Sequence, residues 1–355
     1  MPSVTVLMPV YNTERYLRPA MESILAQSYE DFEFLIINDG STDDSRKIIA
    51  SYADKRIRLV DNESNLGQTA TLNRGLCLAE SELIARQDAD DISHRRRLEH
   101  QVAFLRDHPD VTLLGTRGWE INEHGQRIRP VDVPCEDRSI RLDWIIDNRF
   151  IHPAVMFRKK VILDELGGYD ETFSYCQDYD LWSRVPLTHR VGNLSCRLVN
   201  RRVHASSMTE TMHKISAVER RRVIRRNIDA IFGAQAASDK EVDLIARFGL
   251  GFDEDSLDAF LDLLKRLLQY YLRFFPETVG SVDFRRTVAQ RYAQLAKMAM
   301  RTNPSLVWRV LAESVPYYPV LTVSLSWLSA RTFAICCEAA CSVGEWLLPL
   351  NLNRK

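Results

Sequence analysis

Short apolar runs alternate with amphipathic stretches through the first ninety or so positions. Residues 4–10 (VTVLMPV) and 32–38 (FEFLIIN) are nearly continuous apolar runs of the length expected for buried strands. IRLV at 57–60 and ELIARQ at 82–87 give a third and a fourth. Between them, residues 14–27 carry Leu17, Met21, Ile24 and Leu25 at helical spacing, and 43–52 and 67–79 also read as helices. Strands alternating with helices across short turns such as Asp39-Gly40-Ser41 predict a parallel sheet flanked by helices.

From about residue 111 the pattern changes. Residues 111–122 and 126–133 flank Glu123-His124-Gly125 as a hairpin, a helix follows near 138–146, and IHPAVMFR at 151–158 reads as a strand. Beyond residue 206 the signal is helical, over 219–232, 239–248, 256–274 and 282–300. The polar stretch HASSMTETMHK places a boundary near residue 210, giving domains 1–209 and 210–355.

Composition changes little of this picture. The chain has 355 residues, enough for two domains, and 45% hydrophobic and 27% charged residues are ordinary for a globular protein. A net charge of −1 provides no field for nucleic acid, and the basic run Arg95-Arg96-Arg97 has no interleaved aromatics. Seven cysteines without zinc-site spacing, after a start that is strand rather than signal peptide, predict reduced thiols and a cytoplasmic location. Residues 315–330 (VPYYPVLTVSLSWLSA) are too short and interrupted for a membrane span. With Arg220, Arg221, Arg222, Arg225 and Arg226 they predict either peripheral contact with the inner face of a membrane or a helical core or dimer face.

The chemistry gathers where the strands end. In open α/β sheets ligands bind outside the carboxyl ends of the strands. Residues 9–12, Asn38-Asp39 and Asp88-Ala89-Asp90 all fall there. Asp88, Asp90 and Asp91 within four positions repel one another unless a cation lies between them. Mg²⁺ or Mn²⁺ takes such carboxylates together with substrate phosphate oxygens. Read without an ion, the same residues are a solvated loop in which Asp91 caps a helix starting near Ser93.

The blocks VTVLMPVYNTERYLRPAMESILAQSYEDFEFLIINDGSTDDS, NLGQTATLNRGLCLAESELIARQDADDIS, RRRLEHQVAFL, NRFIHPAVMFRK, ELGGYDETFSYCQDYDLWSR and NRRVHASS occur in this order over residues 3–207. Together they resemble the inverting family 2 glycosyltransferases of bacterial polysaccharide synthesis. The resemblance implies the GT-A fold, a Rossmann-like mixed, mainly parallel sheet flanked by helices, here followed by an α-helical C-terminal domain without a match. It implies transfer of a sugar from a nucleotide diphosphate, a UDP-sugar first of all, to a hydroxyl of a glycan or lipid-linked glycan, with Mn²⁺ or Mg²⁺.

The resemblance also implies roles. Pro9, Val10, Tyr11 and Glu14 match the loop beside the nucleoside, with Tyr11 equally readable as a packing aromatic. Asp39 matches the aspartate that binds the base and is otherwise a turn residue. Asp88 matches the position near the ribose and metal, with Ala89 beside it in the nucleotide-sugar site, and Asp90 the direct metal ligand. His204 matches a histidine that completes the metal site or touches the diphosphate, and is otherwise a surface histidine. Arg86 is placed to offset the carboxylates, Arg97 matches a family arginine, and His152 packs near the acceptor side or supports the sheet.

The attacking hydroxyl needs a base to take its proton. In the family this base lies in a Glu-Asp pair ahead of an aromatic residue and Asp-Leu-Trp. Here the pair is Gln177-Asp178, so Asp178 matches the base, with Asp180 as the alternative or a helix-start residue. Gln177 departs from the pattern and leaves open a catalytically weakened nucleotide-sugar-binding subunit of a glycan-assembly complex. A nucleotidyltransferase lacks its Gly-rich loop here, since PVYNTERYL has no glycine, and a processive synthase lacks its Gln-x-x-Arg-Trp motif.

Overall fold

A computed structural model describes residues 2–145, 147–204, 213–234, 237–246 and 254–274, with Val288, Tyr292 and Val310 beyond. The helix expected over 282–300 and the segment 315–350 lie outside the described residues, three single positions aside. The chain divides into two compact units, Met1–Ala236 and Ala237–Lys355.

The first unit opens with β1 (Val4–Val10), α1 (Glu14–Leu25), β2 (Phe32–Asn38), α2 (Ser45–Ala50), β3 (Ile57–Asp61), α3 (Gln68–Leu78) and β4 (Leu83–Arg86). It continues through β5 (Ile92–Ser93), α4 (Arg97–Asp107), β6 (Val111–Ile121), β7 (Arg127–Val131), α5 (Asp137–Asp143), β8 (Met156–Arg158), α6 (Gln177–Arg184), β9 (Arg190–Arg202) and α7 (His213–Phe232). The strands form one mixed sheet ordered β3-β2-β1-β4-β8-β6-β9-β5, with β7 on β6. β3, β2, β1 and β4 are mutually parallel, in a register that sets Val10 beside Asn38 and Leu7 beside Arg86. Their carboxyl ends therefore share one edge.

Two-residue alternation along β1 builds a core on each face. Val4, Val6, Met8 and Val10 pack with Leu17, Met21 and Ile24 of α1 and Leu98 and Leu105 of α4. Leu7 turns the other way, with Leu35 and Ile37, toward Leu72 and Leu76 of α3 and Trp182 of α6. Gly75 belongs to that close layer, since a Cβ there would lie 2.3 Å from Leu7 Cδ1.

Two local expectations are corrected. IHPAVMFR is a strand only over Met156–Arg158, because Pro153 sits in the 3₁₀ turn His152–Ala154 and has no N–H for a ladder. Asp91 caps no helix, since Ser93 belongs to β5 and α4 starts at Arg97. The long strand β9 has no clear alternation in RVGNLSCRLVNRR and forms through parallel pairing with β6.

In the second unit, α8 (Asp239–Ala246) starts with a reciprocal cap. Glu241 Oε2 accepts from Ser238 N at 2.7 Å, and Ser238 Oγ accepts from Glu241 N at 3.3 Å. α9 (Glu254–Phe274) follows, and Arg266 pairs with Glu241. Among the described residues no helix is long and apolar enough to cross a membrane.

Candidate active site

The β1 and β2 ends form the first wall. Asp39 N–H donates to Val10 O at 2.8 Å, which ties the two strand ends together. The Asp39 carboxylate is buried and braces the turn ahead of α3. Its Oδ1 accepts from Asn62 Nδ2 at 2.6 Å and Leu66 N at 2.8 Å, and its Oδ2 from Gly67 N at 3.0 Å. Gly40 beside it adopts φ +69°, and a Cβ there would fall 2.7 Å from the backbone of Ser64 and Asn65. Pro9 and Val10 close β1, and Tyr11 is 45% exposed, so it is not a packing aromatic.

Glu14 ties α1 to the neighbouring loop. Its Oε2 accepts from Asp44 N at 2.8 Å, while its own N–H donates to Asp43 Oδ2 at 3.0 Å. Asn12, which pattern reading missed, does the same at φ +49°: its Oδ1 accepts from Thr42 N at 2.8 Å. The signal for it is the Tyr-Asn-Thr step after an apolar run, since asparagine tolerates this conformation.

The acidic cluster lies between β4 and β5. One ligand oxygen each from Asp88, Asp90 and Asp91 lies within 4.8 Å of the others. Arg86, fully buried, donates from Nη2 to Asp88 Oδ1 at 2.6 Å. Burial raises the Asp88 carboxyl, against the pull of Arg86 and reinforced by the charge on Asp90. Asp91 is raised well above the usual carboxylate range by burial and then by Asp90 and Asp88. Its Oδ1 accepts from Arg202 N at 2.6 Å, while its buried Oδ2 has no hydrogen-bond partner. Ala89 is buried between the two carboxylates.

β9 supplies the partner of Asp90. β5 pairs antiparallel with the end of β9, and the chain leaving β9 places His204 Nε2 3.0 Å from Asp90 Oδ2. The His204 side chain is only 12% exposed and packs on Tyr16, which excludes the surface-histidine alternative.

Asp178 stands in the first turn of α6. Its Oδ2 accepts from Asn148 Nδ2 at 2.9 Å and its Oδ1 from Tyr179 N at 2.6 Å. The carboxylate keeps partial access to solvent, yet the crowding around it pushes its carboxyl up to about 6. The hydrogen bond from Tyr179 opposes that rise, and the charge on Asp88 adds to it. A short relay connects the base candidate's helix to the acidic cluster. Gln177 Nε2 donates to Gln68 Oε1 at 2.9 Å, and Gln68 Nε2 lies 3.5 Å from Asp88 Oδ1.

The remaining polar candidates are structural. Asp180 is fully buried and ion-paired with Arg184 at 3.0 Å and with Arg226 of α7, so it has no oxygen to spare for a substrate proton. Arg97 is fully buried and donates to Gln87, Ser93 and Gln101 and to the backbone of Arg86 and Val155. Burial brings it down to about 9. His152 lies between Arg86 Nε, 3.1 Å away, and Trp182 Nε1, 3.3 Å away. A ring facing two donors has no place for a second proton, and burial with Arg86 holds it well below its usual range.

Known proteins resemble this chain in sequence and fold. The profile of the family described as "Glycosyl transferase family 2" matches residues 5–166. The putative glycosyltransferase EpsE of Bacillus subtilis (strain 168) is 37% identical over 188 residues, which are 52% of this chain and 66%, just under two thirds, of its own length. The O-antigen biosynthesis glycosyltransferase WbnJ of Escherichia coli is 35% identical over 212 residues, 58% of this chain and 81% of its own. The S. aureus TarS fragment 1–349, crystallised with UDP-GlcNAc, superposes with a TM-score of 0.57 over 91% of each chain at 18% identity, a likeness of fold.

Proposed function

The chain belongs to glycosyl transferase family 2 and has the GT-A fold, and on that premise we propose that it transfers a sugar from a nucleotide diphosphate to an acceptor hydroxyl with inversion. The observation that carries this reading is the relay Gln177–Gln68–Asp88, which ties the residue before Asp178 to the acidic cluster and so keeps the base candidate and the carboxylates in one site. A single displacement needs two such groups in one site, carboxylates for a cation that holds the leaving diphosphate and a base for the attacking hydroxyl.

In this reading Asp178 takes the proton of the acceptor hydroxyl as its oxygen bonds to the anomeric carbon. The bond from that carbon to the diphosphate breaks, and the nucleoside diphosphate leaves with the electron pair. A carboxyl at about 6 is largely ionised at neutral pH, yet more basic than a free carboxylate. No covalent sugar–enzyme intermediate is required.

The donor side fits a hard divalent cation. Its donors are carboxylate oxygens with one imidazole, and the orphaned Oδ2 of Asp91 lacks any proton donor. Asp90 and His204 would hold Mn²⁺ or Mg²⁺, joined by Asp88 and Asp91. A bound ion supplies charge neutralisation for the leaving diphosphate. Asp39 receives the base, Pro9, Val10 and Tyr11 line the nucleoside, Glu14 holds their loop, and Asp88 with Ala89 lies near the ribose and diphosphate. UDP as the nucleotide agrees with the UDP-GlcNAc complex of TarS, and a glycan or lipid-linked acceptor in cell-surface polysaccharide synthesis agrees with the named role of WbnJ.

Calorimetric titration of UDP and GDP, with Mn²⁺ or Mg²⁺ and again with EDTA, tests the donor site. The expected outcome is UDP binding that needs the metal and is lost in Asp90→Ala. Failure of both nucleotides to bind under every condition would sink the assignment of Asp39 and Asp90.

A further inference from the structure

We propose that helix α7 belongs to the transfer machinery as a two-armed clamp, in which Glu219 and Arg220 are positioning residues for the Asp178 carboxylate. The inference rests on Asp178 being the base.

The first arm holds the backbone that carries Asp178. Glu219 is 6% exposed and accepts three hydrogen bonds: Ser174 N at 2.8 Å, Tyr175 N at 2.8 Å and Cys176 N at 2.9 Å. These amides form the turn that leads into α6, and Asp178 is the second residue of that helix. The N-cap residue, Cys176, makes no side-chain cap hydrogen bond. An eight-residue helix is marginal by itself. A carboxylate from another element thus satisfies three amides of the turn that runs into the helix, and its charge complements the positive end of the helix.

The second arm holds the side chain that orients Asp178. Arg220 Nη1 donates to Asp147 Oδ1 at 3.0 Å. The next residue, Asn148, donates to Asp178 Oδ2 at 2.9 Å. Two consecutive residues of α7 thus grip both structures that locate the base. Two turns further along α7, Arg226 pairs with Asp180 and donates to Ser183 Oγ at 2.7 Å, so the grip runs the length of α6.

A carboxylate with two acceptor oxygens can satisfy these three amides, whereas a glutamine has one such oxygen and turns an NH₂ group toward N–H donors. Buried amides left unpaired will move the turn, and displacement of a catalytic group by about 1 Å costs on the order of 10²-fold in rate. The donor side is instead built on the ends of β1, β2, β4 and β9. Damage to the clamp should therefore lower kcat and spare donor affinity.

The test is a double-mutant cycle on the full chain. UDP release is followed with a panel of UDP-hexoses and UDP-N-acetylhexosamines with water as acceptor, alongside UDP affinity in Mn²⁺. The expected result for Glu219→Gln is a fall in kcat of about 10- to 100-fold, with the donor KM and UDP affinity little changed. In an Asp178→Asn background the same substitution should lose little more. Equal fractional losses in both backgrounds, parallel loss of UDP binding, or an unchanged kcat would overturn the clamp. Wild-type turnover in Asp178→Asn alone would instead remove the base assignment itself. If Glu219→Gln does not fold, Arg220→Gln breaks the other arm and must show the same non-additivity. A readout without turnover is the pH dependence of the melting difference between wild type and Asp178→Asn. Glu219→Gln should move its midpoint downward, and an unmoved midpoint overturns the proposal.

Discussion

Asn148 donates from Nδ2 to Oδ2 of Asp178 at 2.9 Å, across thirty residues of chain. Such a bond favours the ionised carboxylate; burial, opposed by the hydrogen bond from Tyr179, favours the neutral acid and sets the group at about 6. With Asp178 as the base, kcat/KM should fall tenfold per pH unit below about 6. Replacing Asn148 by Ala removes a hydrogen bond to a charged group, a loss of about 1.5 kcal/mol or more. The acid limb should then move upward by about one unit, a shift that a pH–rate profile of the variant reads directly. An unmoved limb would assign it to another group.

Asp178 should also cost the fold stability at neutral pH. Its folded pKa is raised above that of the unfolded chain. The native state therefore binds the proton more tightly, and stability falls as pH rises from about 4 through 6. Asp178→Asn removes the ionisation and should melt higher than wild type at pH 7.5, with the difference shrinking toward pH 4. Melting curves at both pH values check this. It separates a strained catalytic carboxylate from a stabilising one, because a stabilising carboxylate would show the opposite sign.

Asp180 should behave in the opposite way. It is fully buried between Arg184 and Arg226, and its removal leaves two guanidinium groups facing an empty position. Breaking a buried ion pair from one side costs about 3 kcal/mol or more. Asp180→Ala should unfold at a much lower denaturant concentration. Below its melting point the surviving activity should keep an acid limb, since Asp178 is still present, whereas loss of that limb would reopen Asp180 as the base.

Gly40→Ala tests the brace between Asp39 and the turn ahead of α3. The new methyl would press on Ser64 and Asn65 backbone at a left-handed φ that already disfavours alanine by roughly 1 kcal/mol. Lower thermal stability and weakened UDP binding in Mn²⁺ are expected together. Intact UDP affinity in a destabilised variant would show that the 62–67 turn lies away from the nucleotide.

The elements whose information is local are legible in the chain before it folds. Alternation and helical spacing fix β1, α1, β2, α3 and β4 because burial on one face is written into the period of the chain. The order of those elements then placed Asp39 and Asp88 to Asp91 at one sheet edge, since parallel strands put their carboxyl ends together. Motif resemblance marked Asp178 and His204, which no periodicity singles out.

The roles of the remaining polar residues emerge with long-range packing. β9 has no clear alternation, and it forms because β6 offers it a partner along ten paired positions. Arg97 sits in a run of three arginines, and its burial depends on carbonyls and side chains from β4, β5, α4 and the turn before β8. Glu219 and Arg226 look like surface charges on an amphipathic helix. Glu219 is buried and Arg226 partly covered because α7 lies on α6, where the turn amides and the Asp180 carboxylate require counterparts. A residue's period along the chain records which way it faces, whereas its charge is satisfied by whatever folding brings opposite. That second fact is not local, so it enters only with the fold.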